Sequence, residues 1–174
     1  PPEARPPDAR RQVAQLTALA EHHFEWNIDR LLGLAADASV PVIVVSPPTN
    51  YRFAALTPFD GDGPGSADDL ARLVQEAEDL SASAEHAAAR DRWQQAIDRS
   101  ARPREATSGV LDILGELARQ RDCTMVDGEA LFYAGSTDGL TVSGLFWDDL
   151  HPSLQGHALL ADALEPPVRA LLAR

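Results

Sequence analysis

The sequence contains no lysine and has a large excess of negative charge. Both features argue against partners that are themselves strongly anionic. All 15 basic residues are arginine, against 27 Asp and Glu, so the 174-residue chain carries a net charge of −12. Binding to nucleic-acid phosphates needs clustered cations, and docking on anionic membranes needs them as well. We therefore expect no nucleic-acid partner.

Cysteine and long apolar runs are also scarce. Cys123 is the only cysteine, which excludes a disulfide within the chain and a metal site made of several thiolates. No run of about 18 apolar residues is present, so the sequence predicts no insertion into a membrane. Residues 1–8 are rich in proline and lack the apolar stretch of a signal peptide, and we expect them to be a linker or a cut end.

The spacing of apolar residues predicts helices and two short strands. Three- and four-residue intervals predict helices over about 9–36, 66–80, 84–97, 103–120 and 153–172. Pro103 and Pro152 fit first-turn positions, and Pro166-Pro167 is expected to kink or interrupt the last helix. The predicted strands are Val40–Val45 and Thr124–Val126.

Two short parallel strands do not make a stable open sheet. Further strands must then come from another chain or from a preceding sequence. We expect residues 9–174 to form the C-terminal part of a larger α/β domain.

The segment that carries chemistry is Asp148-Asp149-Leu150-His151-Pro152. A carboxylate three residues before a histidine can accept a hydrogen bond from the imidazole Nδ1–H, which leaves Nε2 to take a proton from a nucleophile. Asp148 is the predicted partner, and Asp149 is assigned to solvent or to helix-terminus electrostatics. Two alternatives stay open: a plain helix cap, and a metal site of Asp148, Asp149, His151 and His157.

The same segment resembles the last motif of the SGNH (GDSL-type) hydrolases, in which Asp-x-x-His-Pro is followed by Gly-His and an apolar helix. Here these residues are Asp148–Pro152 and Gly156-His157, with the apolar residues 158–161 after them. Residues 24–50 resemble the family's late helix–strand unit, whose strand ends in a Pro- and Asn-containing loop, and Met125–Asp127 resembles its last strand. The family's Gly-Asp-Ser nucleophile motif and its oxyanion-hole Gly and Asn are not recognisable in this sequence.

This resemblance implies a three-layer α/β/α sandwich with a parallel sheet. The chain would supply the later strands and a helical insertion at about 60–120, as in some bacterial members. It implies ester hydrolysis, with His151 as base and then acid, Asp148 as its orienting carboxylate, and no metal or organic cofactor. The serine would come from a missing N-terminal segment or a companion chain, so we expect this chain alone to be inactive.

The resemblance leaves the substrate and the compartment open. An acylated carbohydrate is one plausible ester, and Asn50, in a loop after a strand, is a candidate substrate-binding residue. A rival interpretation is a non-catalytic binding module on the same fold, whose working surface is the helical segment 66–120. A Gly-Asp-Ser motif in the upstream codons of the gene would favour the enzyme.

Overall fold

Helices dominate the computed structural model, which describes residues 8–142 and 144–173. Helices account for 61% and strand positions for 6% of the structure. The helices are α1 (Ala9–Asp37), α2 (Ala67–Ala82), α3 (His86–Arg99), α4 (Ser108–Gln120), α5 (Gly128–Tyr133) and α6 (Leu154–Leu172), and the strands are β1 (Ile43–Val45) and β2 (Thr124–Val126). A single 3-10 turn, Tyr51–Phe53, follows β1.

The expected three-layer α/β/α sandwich is wrong for the described part of this chain. β1 and β2 pair in parallel, with Val44 opposite Met125, and form a two-stranded sheet. The family resemblance implies further strands, whereas the apolar spacing of the chain itself offers only these two runs. β2 also lacks the burial of a central strand, because Thr124 and Met125 are both exposed.

Two larger buried clusters hold the helices together, beside a smaller third one of Leu70, Leu73 and Ala96 between α2 and α3. One cluster joins α2, α3 and α5 and contains Tyr51, Ala77, Ala89, Trp93, Ile97, Phe132, Tyr133, Leu140 and Val142. The other joins α1, β1 and α4 and contains Leu32, Val44, Leu114, Leu117 and Ala118. The helices of the segment 60–120 therefore pack against the rest of the chain, α2 and α3 in the first cluster and α4 in the second.

Side-chain caps explain where α2 and α4 begin. The predicted start of α2 is confirmed, because the Ser66 hydroxyl accepts a hydrogen bond from the backbone N–H of Asp69 at 3.2 Å. The predicted start of α4 at Pro103 is wrong, since the helix begins at Ser108 after the cap Thr107. The preceding residues instead pair with the loop after the 3-10 turn, where the N–H of Ala101 donates to the carbonyl of Thr57 at 2.7 Å.

The predicted last helix is present, but Pro152 is not in its first turn and its two internal prolines do not interrupt it. Pro152 forms an isolated bridge with Phe146, and α6 begins two residues later behind the cap Ser153. The helix then runs through Pro166-Pro167 without interruption. α5 lies outside the helices that the apolar spacing predicts, and the Asp127 side chain caps it.

The predicted linker at residues 1–8 lies outside the described residues, except for Asp8, which caps α1. Within the described ranges, none of the helices combines the length and the apolar character needed to cross a bilayer.

Close backbone contact at Gly128 joins the end of β1 to the start of α5. The N–H of Gly128 donates to the Ser46 hydroxyl at 3.0 Å, and a Cβ at this position would overlap the carbonyl oxygen of Ser46. Gly128→Ala is therefore expected to lower the free energy of unfolding by roughly 1–3 kcal/mol, the usual cost of overpacking. Urea unfolding of the purified chain measures this change.

The matched control is Gly115→Ala in α4, where an added Cβ meets no atom within 4 Å. Alanine favours a helix interior over glycine, so this variant is expected to gain roughly 0.5–1 kcal/mol. Equal stabilities for the Gly128 variant and the wild type would contradict the close contact.

Candidate functional site

The predicted Asp–His pair lies at the tip of a short closed loop between α5 and α6. The N–H of Trp147 donates to the carbonyl of His151 at 2.8 Å, and the N–H of Ser153 donates to the carbonyl of Leu145 at 2.8 Å. The Ser153 hydroxyl also donates to the carbonyl of Gly144. These bonds close the loop at its base and leave residues 148–150 at its end.

Asp148 and His151 are in direct contact. Nδ1 of His151 lies 2.8 Å from Oδ2 of Asp148 and 3.1 Å from Oδ1. The same carboxylate accepts the backbone N–H of Leu150 at 2.8 Å and that of His151 at 2.7 Å. One carboxylate thus shapes the turn and orients the imidazole. Because an ionised carboxylate only accepts hydrogen bonds, the neutral imidazole must carry its proton on Nδ1 in this contact.

These donors also keep Asp148 ionised. The backbone N–H of His151, its imidazole and the backbone N–H of Leu150 lower the pKa of Asp148 from 3.8 to about 2. The His151 side chain is 74% exposed and that of Asp148 is 50% exposed. The pair is therefore open to solvent, with an ionised Asp148 and an imidazole that is accessible to another molecule.

Asp149 forms an ion pair, whereas the sequence assigns it to solvent or to a helix terminus. Its carboxylate lies 2.9 Å from NH1 of Arg104, in the segment between α3 and α4, and its side chain is only 17% exposed. The assignment to solvent or to a helix terminus is wrong, because this ion pair holds the carboxylate. Asp149 anchors the loop and does not compete with Asp148 for the imidazole.

Asn50 reaches the same loop from the segment after β1. Its side-chain nitrogen Nδ2 donates to the carbonyl oxygen of Asp148 at 2.9 Å, and Asn50 is only 7% exposed. The structure therefore brings together the three residues that the sequence singles out, Asn50, Asp148 and His151. Whether Asn50 contacts a substrate stays a prediction.

One buried hydroxyl holds the backbone on both sides of Asn50. Tyr133 of α5 donates its hydroxyl to the carbonyl of Thr49 at 2.9 Å and accepts the N–H of Tyr51 at 3.4 Å. Burial raises the pKa of Tyr133, so its hydroxyl stays neutral and able to donate.

Two charged residues extend this buried network. The Tyr51 hydroxyl donates to Glu129 at 2.6 Å, and Arg90 of α3 donates to the other carboxylate oxygen at 2.9 Å. The guanidinium of Arg90 also lies 5.2 Å from the centre of the Tyr133 ring. Burial, and after it the Glu129 carboxylate, raises the pKa of Tyr51, so this hydroxyl also remains a donor.

The alternative metal site finds no support in the geometry. Asp149 is paired with Arg104, and His157 is an exposed residue of α6. Residues 8–142 and 144–173 contain no group of three or more His, Cys, Asp or Glu side chains arranged to hold a metal ion.

Among the described residues, the imidazole of His151 makes its side-chain hydrogen bonds to Asp148 alone, and none to a serine, threonine or cysteine. Two large apolar side chains that flank the pair in sequence are exposed, Trp147 at 71% and Leu154 at 76%. Trp147 precedes Asp148, and Leu154 follows His151 by three residues.

No protein-family model, curated protein or solved structure matches the chain. The resemblance to SGNH hydrolases therefore rests on the motif residues alone.

Titration of Asp148 tests the geometry of the pair. The carboxyl 13C signal of Asp148 is expected to titrate near pH 2, well below the ordinary 3.8. His151→Ala removes the imidazole donor but keeps both backbone N–H groups, so the pKa of Asp148 should rise only part of the way to 3.8. NMR spectra recorded over a pH series measure both values.

The sign of the stability effect follows from the depressed pKa. Ionised Asp148 stabilises the fold above about pH 4, and this contribution is lost as the pH falls from 3.8 through about 2. An Asp148 pKa of 3.8 in the wild type would contradict the described contacts.

Proposed function

We propose that this chain carries the Asp–His half of a Ser–His–Asp hydrolytic site and takes part in ester hydrolysis. The observation that carries the proposal is the 2.8 Å contact between Nδ1 of His151 and Oδ2 of Asp148, with the imidazole open to solvent. This is the arrangement in which a carboxylate fixes the tautomer of a general base. The motif resemblance to SGNH hydrolases supports the same reaction class.

In the proposed mechanism, Nε2 of His151 takes the proton of a serine hydroxyl as its oxygen attacks the ester carbonyl. His151 then gives that proton to the leaving alcohol, and an acyl-enzyme remains. Water repeats the sequence, with His151 again as base, and releases the acid and the free serine. Asp148 stays ionised throughout and stabilises the imidazolium that forms in each half of the reaction.

We propose that the serine and the oxyanion donors come from a segment or companion chain beyond the described residues. Two observations support an additional partner. The imidazole has no nucleophile bonded to it within the described ranges, and Trp147 and Leu154, which flank the pair in sequence, expose large apolar side chains. The proposed substrate is an ester, with an acylated carbohydrate as one candidate.

The activity test uses the product of the gene's complete reading frame beside this 174-residue chain. With a chromogenic acyl ester, we expect turnover from the complete product and none from this chain. His151→Ala in the complete product should lower kcat by on the order of 10³–10⁶-fold, because the general base is lost. Asp148→Asn should lower it by about 10²–10⁴-fold, because the imidazole remains but is badly oriented.

Asp149→Asn is the matched control, since it makes the same change at a carboxylate that contacts Arg104 and not the imidazole. Its kcat should change by less than roughly tenfold, because the carboxylate does not contact the imidazole and its Arg104 partner is more than half exposed, where an ion pair contributes about 1 kcal/mol or less. Effects of Asp148 and Asp149 in the reverse order would overturn the assignment. A reading frame without a Gly-Asp-Ser motif, and without turnover, would favour the non-catalytic binding module.

A further inference from the structure

We propose that Asn50 is a positioning residue that holds Asp148, and through it His151, in the orientation needed for proton transfer. The relevance to catalysis rests on the function proposed above, whereas the positioning itself is a property of the fold. The juxtaposition that carries it is the hydrogen bond from the Asn50 side chain to the Asp148 carbonyl at 2.9 Å, between residues 98 positions apart.

Packing alone does not orient the pair. The His151 side chain is 74% exposed and that of Asp148 is 50% exposed, so hydrogen bonds within residues 148–151, and not packing, set both rotamers relative to the backbone of the loop tip. The direction of the Asp148 carboxylate must then follow from the backbone that carries it. That backbone lies at the tip of the loop, where the bonds at the loop base restrain it least.

Asn50 supplies the missing restraint from a rigid part of the chain. It is only 7% exposed, and its backbone neighbours Thr49 and Tyr51 are both bonded to the buried Tyr133 hydroxyl. The arginine pair of Asp149 restrains the next residue, but it acts through a side chain that is 56% exposed at Arg104 and is therefore weak. The hydrogen bond from the Asn50 amide to the Asp148 carbonyl thus ties the loop tip to a buried residue.

The residue type fits this role. An Asn side chain provides an N–H donor for a carbonyl oxygen, whereas Asp would place a second acceptor there, and Ala would leave the carbonyl without this partner. A substrate contact is the competing role for Asn50. The two roles differ in kinetics, because a positioning residue changes kcat and a ground-state contact changes KM.

The test compares Asn50→Ala and Asn50→Leu, which both remove the donor without adding a charge, with the control Asn27→Ala. Asn27 of α1 also donates its side-chain nitrogen to a carbonyl, that of His23 at 2.7 Å, so the control makes the same chemical change away from the loop. The readout is the pKa of Asp148, from the 13C signal of its carboxyl group in the 174-residue chain. We expect it to rise from about 2 toward 3.8 in both Asn50 variants and to stay near 2 in the control.

A measurement on the wild type covers the case in which an Asn50 variant fails to fold. A through-hydrogen-bond coupling should link the side-chain nitrogen of Asn50 to the carbonyl carbon of Asp148. The side-chain amide protons of Asn50 should also exchange with solvent more slowly than those of the exposed Asn27. Absence of the coupling, together with fast exchange, would overturn the proposal. So would folded Asn50 variants whose Asp148 pKa stays near 2.

Activity separates this proposal from the proposed function. If the complete product hydrolyses esters, Asn50→Ala should lower kcat by roughly 10–100-fold, the scale of a misplacement near 1 Å, and leave KM unchanged. A raised KM with an unchanged kcat would overturn positioning in favour of substrate contact. If no protein is active but the Asp148 pKa shifts as expected, the proposed function fails while the positioning role stands.

Discussion

The hydroxyl of Tyr133 meets the segment after β1 inside the larger buried cluster, and this contact connects the core to the candidate site. This hydroxyl accepts a hydrogen bond from the backbone N–H of Tyr51 and donates one to the backbone carbonyl of Thr49, the two residues that flank Asn50. An unpaired polar group in such a place costs about 1–3 kcal/mol, so the bonds restrict how this segment lies. Gly128 also packs closely against the start of this segment, since a Cβ at this position would overlap the carbonyl oxygen of Ser46.

A chain of hydrogen bonds leads from this buried contact to the exposed side chains of Asp148 and His151. Asn50 holds the carbonyl of Asp148, the Asp148 carboxylate gathers the N–H groups of Leu150 and His151, and the imidazole takes its direction from that carboxylate. Each step is a hydrogen bond, and the side chains of the pair itself remain half-exposed or more. A solvent-open Asp–His pair can hold one orientation in this way without being enclosed in a cavity.

Local patterns in the sequence predicted the local structure well. The spacing of Asp148 and His151 indicates their contact, Ser66 marks the start of α2, and the apolar spacing predicts both strands. What failed depends on contacts distant in sequence. The Pro103 start of α4 is wrong because residues 100–105 pair with the loop at 54–57. Arg104, the partner of Asp149, lies in the segment between α3 and α4, which is distant in sequence. No spacing rule connects Tyr133 with the backbone beside Asn50 either. The expected sandwich fails because its additional strands come from family resemblance and not from residues in this chain.

The central claim is that Asp148 fixes His151 as a base with a free Nε2. The most direct test is the tautomer of His151, read from the 15N signals of its ring at a pH where the imidazole is neutral, with the exposed His157 of α6 for comparison. The account predicts a protonated Nδ1 and an unprotonated Nε2 for His151, because the Asp148 carboxylate can only accept. A neutral ring with its proton on Nε2 and a bare Nδ1 would contradict it.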